Sequence, residues 1–198
     1  MTLWTIQSVP AWQELQEKGF LRGSRHQLFE QSWWPAYRWI TDQMRRRIGP
    51  PPENTCVPIW AWYQCEGLRK RPDLRSRGHV PPGERAVRIE FDCSDGAALL
   101  SDFSLWHFVL NYWYLPASEA EGHRFESELT ARGLSFYRQK PLPDHDYHGK
   151  VVESWERIFD LDWSGPDGSE PKEEKSIQAT VWEIALDQIT DYRFFVGR

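Results

Sequence analysis

The sequence predicts an α+β fold: one domain of 198 residues, with a mixed or antiparallel sheet and flanking helices. Three observations carry this expectation. Short runs rich in β-branched and aromatic residues are bounded by glycine, proline or capping residues. Between them lie stretches whose apolar residues recur every three or four positions. Their order is strand, helices, two strands, helices, strand, which is not the regular alternation of a parallel α/β sheet. Aromatic residues make up 15% of the chain and include twelve tryptophans. Rings in that number give enough burial to offset chain entropy and exclude a disordered chain.

Leu3–Gln7 reads as a short strand, with Trp4 and Ile6 on one face and Thr5 and Gln7 on the other. Ser8 caps a helix from about Pro10 to Lys18, and Gly19 stops it. A longer helix runs from Ser32 to Ile48, with Trp33, Tyr37, Ile40, Met44 and Ile48 forming one apolar stripe. Gly49 and the prolines at 50–52 end it. Strands are expected at Val57–Gln64 and Arg85–Asp92. In the second, Val87, Ile89 and Phe91 face inward while Arg88, Glu90 and Asp92 alternate outward. Ser101-Asp102 caps a helix from about Phe103 to Tyr112. Ser118 and Glu121 have the capping-box spacing for another, stopped by Gly133. Val151–Phe159 reads as helical. Ser164–Ser176 is polar, rich in glycine and proline, and expected to be a mobile loop. A strand at Ile177–Leu186 returns to the sheet, and Tyr192–Val196 adds another.

No apolar run approaches the roughly 18 residues that span a bilayer, so no membrane association is expected. The N-terminus lacks a basic region followed by an apolar one, as a secretory signal requires. Cys56, Cys65 and Cys93 are an odd count without metal spacing, which points to reduced thiols in a cytoplasmic protein. The net charge of −5 is uneven. Between Arg45 and Arg77 eight basic residues face three acids, leaving −10 on the remainder. A basic patch on an acidic chain points to a phosphate-bearing ligand, nucleotide or nucleic acid. The competing reading is structural: Arg45–Arg47 end a helix, where cations meet the macrodipole.

The most distinctive motif is Pro58-Ile-Trp-Ala-Trp-Tyr-Gln64. Strand alternation puts Ile59, Ala61 and Tyr63 on one face, and Trp60, Trp62 and Gln64 on the other. Two indoles and an amide suit a flat, polar-edged ligand such as a nucleobase or sugar, or else an ordinary core. Lys70–Arg75 can clamp a phosphate, or Asp73 can pair locally with an arginine and hold the loop's shape. His145-Asp-Tyr-His148 follows two prolines and reads as a loop. No metal site is expected there or elsewhere. Ser101-Asp102 with His107 can offer helix N-terminal amides to an anion, or reads as a helix cap beside a half-buried histidine, the preferred reading. No nucleotide-binding glycine loop, zinc motif or serine elbow is present.

Seven segments together carry a resemblance. They are Leu3-Trp-Thr-Ile-Gln7, Arg47-Ile-Gly-Pro-Pro-Pro52, Pro58-Ile-Trp-Ala-Trp-Tyr63, Arg71-Pro-Asp-Leu-Arg75, Leu100-Ser-Asp-Phe103 with Trp106-His107, Ser154-Trp-Glu-Arg-Ile-Phe159 and Gln178-Ala-Thr-Val-Trp-Glu183. From end to end they resemble an uncharacterised bacterial family, domain of unknown function 3841, which implies no activity. The opening strand, capped helix and Gly19-Phe20-Leu21 also resemble the start of ADP-ribosyltransferase folds. That likeness implies a split antiparallel sheet gripping NAD, with Thr5 or Gln7 on the nicotinamide side and the Trp60–Gln64 region beside it. It also implies a catalytic glutamate on a late strand. Here Thr180 stands where that glutamate belongs, and Glu183 lies three residues on.

Two functions follow as expectations. In the first, the chain binds NAD or a related nucleotide, with weak or absent transferase or glycohydrolase activity. Thr5, Gln7, Trp60, Trp62 and Gln64 line the pocket, Arg71 or Arg75 meets the pyrophosphate, and Glu183 is the candidate catalytic carboxylate. In the second, a non-catalytic module binds nucleic acid or a protein partner through the basic stretch and exposed indoles.

Overall fold

The computed structural model describes residues 1–23, 31–168 and 171–198. Among them it contains eight strands and five α-helices, an α+β fold as the sequence predicts. The chain forms two compact units, one of Met1–Leu100 with Ile177–Arg198, the other of Ser101–Ser176.

The first unit is built on a six-stranded sheet. Its strands are β1 (Thr2–Ser8), β3 (Ile59–Gln64), β4 (Arg85–Asp92), β5 (Ala98–Asp102), β6 (Ile177–Val181) and β8 (Ile189–Val196), in the order β5-β6-β3-β1-β4-β8. The β1–β3, β1–β4, β3–β6 and β4–β8 pairings are all antiparallel. A separate two-stranded sheet joins β2 (Phe20–Arg22) to β7 (Glu183–Ala185).

Helix α1 (Val9–Lys18) forms where its caps place it. The Ser8 hydroxyl accepts from the Ala11 N–H at 3.3 Å. Pro10 sits in the first turn, where no backbone donor is needed. Gly19 closes the helix at φ 78°, a left-handed conformation open to glycine without strain. Helix α1 buries Ala11, Trp12 and Leu15 in a core shared with Leu3, Ile59, Ala61, Val87, Ile89, Phe91, Ala179 and Val181. Burial of each large apolar side chain stabilises the fold by about 1.5–3 kcal/mol. Helix α2 (Trp34–Arg47) follows a short 3-10 turn and buries Trp39, Ile40 and Met44. Arg45–Arg47 lie in its last turn, where cations complement the helix dipole.

The second unit carries α3 (Phe103–Leu110), α4 (Glu119–Ala131) and α5 (His145–Ser154). Asp102, Ser118 and Asp144 cap them by accepting from Leu105, Glu121 and Tyr147 N–H respectively. The Asp102 carboxylate also meets Lys175 at 2.9 Å, and both side chains are 1% exposed. Lys175 donates to the Trp163 carbonyl at 2.5 Å. The tail of the polar segment 164–176 is therefore fastened inside the unit. Within that segment, 169–170 lie outside the described residues.

Several expectations need correction. The strand expected at Ile177–Leu186 breaks at Trp182. That indole is buried and donates to the Gly49 carbonyl, and the chain then leaves the large sheet for β2. The segment His145–His148 is the first turn of α5 rather than a loop, because Asp144 accepts from two backbone N–H groups beyond Pro143. The expected helix over Val151–Phe159 becomes the end of α5 and a 3-10 turn, Trp155–Phe159. The outer face of β4 is not open either: Arg88 is 6% exposed. No helix among the described residues is long and apolar enough to cross a membrane.

Candidate functional site

Cross-strand register fixes which site residues share a face, because residues opposite one another in an antiparallel pair point the same way. Thr5 stands opposite Ile89, and Gln7 opposite Val87, both core residues under α1. Trp62 stands opposite Trp4 on one side and Gln178 on the other, while Trp60 stands opposite Thr180. Thr5 and Gln7 therefore lie on the α1 face of the sheet, and Trp60 and Trp62 on the other. The Gln7 amide donates to the Thr5 hydroxyl at 2.7 Å, and that hydroxyl donates to the Trp60 carbonyl at 2.8 Å. The Gln7 amide nitrogen and the Thr5 hydroxyl are thus engaged within the sheet. Gln64 also leaves the tryptophan face. A bulge between Trp62 and Gln64 sets it opposite Ile177, on the side of Ala179 and Val181. The expected pocket of Thr5, Gln7, Trp60, Trp62 and Gln64 is thus divided between two faces.

The tryptophan face is partly covered. Tyr37 of α2 packs edge-on to Trp60 with ring centroids 6.3 Å apart, and burial raises its phenol above the usual range. The basic stretch lies over the strands next to it. Arg71 Nε donates to Glu90 Oε2 at 2.5 Å, and its NH1 lies 3.5 Å from Asp191. Trp4 Nε1 donates to the same Glu90 oxygen at 2.7 Å. The Arg71 guanidinium, followed by the indole, holds the Glu90 carboxyl below the ordinary range against the opposing effect of burial. Arg69 stacks on Tyr63 at 3.8 Å and donates to the Thr2 carbonyl at 2.8 Å. Arg75 chelates Asp73 through Nε and NH2, which lowers that carboxyl to about 2. Asp73 pairs locally and shapes the loop, so Arg71 and Arg75 are both committed to carboxylates of this chain.

Glu183 and Thr180 belong to different sheets. Thr180 is fully buried, its hydroxyl 3.2 Å from Met44 Sδ and 3.3 Å from the Leu99 carbonyl. Glu183 stands opposite Arg22 in the small sheet and accepts from its Nε at 2.6 Å. It borders a cleft of about 380 Å³ with Ile48, Trp182, Asp187 and Gln188. None of the tryptophan-face residues lines that cleft.

A larger cavity lies wholly within the second unit. It measures about 740 Å³ and is walled by Phe108, Trp113, Tyr114, Phe125, Phe136 and Tyr137. Phe125 and Leu129 of α4 are buried beneath it. Tyr114 stacks on Phe125 at 3.8 Å and 12°, and Phe136 lies 6.1 Å beyond. Trp113 is held by an edge contact with Phe108 and by the Trp155 indole, which donates to the Trp113 carbonyl at 2.7 Å. Tyr114 donates to Glu121. Burial first, then that carboxylate, pushes its phenol up to about 12. Tyr137 is 98% exposed. Glu126 and Arg138 are the charged residues of the lining, with Thr130 and Ser135 as hydroxyls. Among the described residues neither Glu126 nor Arg138 has an ion-pair partner.

A family model matches residues 2–190. The chain belongs to the family described as domain of unknown function (DUF3841). No curated protein and no solved structure matches it.

Sequence reasoning did not single out the DUF3841 chain's aromatic groove. Its residues are spread over positions 108–138, on two helices and the segments after them. The legible signal was Leu134-Ser-Phe-Tyr-Arg138, two aromatics and a cation directly after the glycine that stops α4. No cluster of three or more histidine, cysteine or acidic side chains able to hold a metal exists among the described residues. His148 is instead held by Tyr112, whose hydroxyl is 2.7 Å from Nδ1.

Proposed function

We propose that this protein binds a nucleotide-bearing ligand, NAD among the candidates, in the aromatic groove of Ser101–Ser176. The observation that carries the reading is the combination of groups in one cavity. Exposed rings at Trp113 and Tyr137 offer stacking faces for a base. Arg138 offers a forked cation for a phosphate. Glu126 offers an acceptor for the ribose hydroxyls. A volume of about 740 Å³ falls in the range of small-ligand sites. A bare sugar would leave the cation without a partner, and an apolar ligand would leave both charges without one.

The alternative, a nucleic-acid or protein surface on the basic stretch, has less support. Arg69, Lys70, Arg71 and Arg75 already meet carbonyls or carboxylates of the same chain. An anion would have to displace each of them.

The test is titration of the protein with AMP, NAD and adenosine, followed by calorimetry and tryptophan fluorescence. Arg138→Ala is expected to weaken AMP binding roughly ten- to a hundredfold, the usual effect of losing a charged hydrogen bond, and to leave adenosine unchanged. Tyr137→Ala is expected to weaken all three. If no nucleotide binds, or if Arg138→Ala weakens adenosine as much as AMP, the reading is wrong.

A further inference from the structure

Among the described residues, strand β8 (Ile189–Val196) is an edge, paired with β4 alone. Edge strands present unpaired N–H and C=O groups, and proteins blunt them with proline, shortness or bulges. β8 has eight residues and no proline, and its one irregularity is confined to its N-terminal end, beside Glu90 and Phe91. On one face Tyr192, Phe194 and Val196 are 51%, 41% and 52% exposed. Tyr192 and Phe194 are ordered into a cluster with Trp12, at centroid distances of 4.5 and 6.3 Å. Such a face is long, apolar and prearranged for pairing.

The other face carries a charge mismatch that names the occupant. Arg193 stands directly opposite Arg88, a like-charge cross-strand pair that is unfavourable by itself. Arg88 is buried; among the described residues its Nε has no hydrogen-bond partner and its one acidic partner is Asp191 at 3.1 Å. Asp191 also serves Arg71. Arg193 has no acidic partner among the described residues. The edge is therefore short of one carboxylate beside Arg193. A second copy of β8, laid antiparallel, can supply Asp191 Oδ1, the oxygen that neither Arg88 nor Arg71 uses. Opposed residues must share a face, so the two-fold axis passes through a residue position. An axis at Arg193 would oppose the two guanidinium groups. An axis at Tyr192 sets each Arg193 against Asp191 of the other copy, and the two Tyr192 rings against each other.

We propose that β8 is a self-pairing edge through which two copies of this chain form one continuous sheet, antiparallel about Tyr192. Sedimentation across micromolar to submillimolar concentrations should show a dimer. Arg193→Asp places like charges in opposition. It should weaken the dimer by roughly tenfold or more, with the circular dichroism and melting temperature of the monomer preserved. Cross-linking fixes the register in a Cys56→Ser background. Opposed Cα atoms lie about 4.5–5.5 Å apart, within disulfide reach, so Tyr192→Cys should form an interchain disulfide on oxidation. Two Phe194 positions would lie about 13 Å apart, so Phe194→Cys should not. A protein that is monomeric throughout, as it would be if β8 serves an extended segment of another protein, overturns the proposal. So does a dimer untouched by Arg193→Asp, or cross-linking through Phe194→Cys and not Tyr192→Cys.

Discussion

Replacing Lys175 by methionine keeps the buried stem and removes the ammonium. In the native chain that group contacts Asp102 at 2.9 Å and the Trp163 carbonyl at 2.5 Å, with both charged side chains 1% exposed. After the replacement, the Asp102 carboxylate keeps the Leu105 N–H at 3.1 Å as its polar contact and stays out of water. Breaking a buried pair from one side costs about 3–5 kcal/mol, because the remaining charge is unpaired. For a chain of this size, where each kcal/mol shifts the midpoint by about 2–4 °C, the melting temperature should fall by roughly 6–20 °C. The double variant Asp102→Asn, Lys175→Met separates charge from packing. Asparagine still caps α3 and carries no charge, so the double variant should recover to within about 1–2 kcal/mol of the parent. Urea unfolding of the three proteins at neutral pH measures both numbers. A loss under about 0.5 kcal/mol in Lys175→Met, the size of an ordinary surface change, would refute the reasoning. A double variant as unstable as the single one would refute it too.

Two further predictions rest on carboxylates. Glu90 is held below its ordinary range by Arg71 and Trp4, so its stabilising contribution is complete above the unfolded carboxylate value of about 4.3 and is lost as pH falls through the folded one. The urea midpoint should drop between about pH 5 and 3, and Glu90→Gln should start lower at pH 7 and drop less; an equal drop in both proteins counts against Glu90. Glu183 is engaged by Arg22 and lies outside the aromatic groove, so nicotinamide release from NAD should be slow or absent and unchanged in Glu183→Gln. Fast release abolished by that substitution would instead make Glu183 catalytic.

Much of the first unit's fold is legible in local chemistry. Ser8, Pro10 and Gly19 bound α1 wherever the rest of the chain goes, and the alternation of Val87, Ile89 and Phe91 marks one face of β4 as core. What is not legible depends on partners distant in sequence. β2 has three residues and β5 has five, too few to show a period, and β2 is a strand because β7 lies beside it 161 positions away at Arg22 and Glu183. The break at Trp182 is equally nonlocal, since it is tied to a carbonyl at Gly49. Gln64 shows the cost of one added residue. Period-2 reasoning holds from Ile59 to Trp62, and a bulge that the sequence does not announce then reverses the side that follows.

The basic stretch shows that net charge and free cations are different quantities. The +5 between Arg45 and Arg77 is correct arithmetic, yet charge density says nothing about whether a cation is already paired. Arg71 is bound by Glu90 and Asp191, Arg75 by Asp73, and Arg69 by two carbonyls and a tyrosine face. A ligand phosphate arriving there must outcompete intramolecular acceptors that cost no association entropy. Elsewhere, Arg138 lines the aromatic groove, and Arg193 stands on an open sheet edge opposite another arginine. Neither lies in a basic run. No carboxylate among the described residues pairs with either, whereas Arg71 and Arg75 are each engaged by one, so position in the fold and not charge density decides which cation is paired.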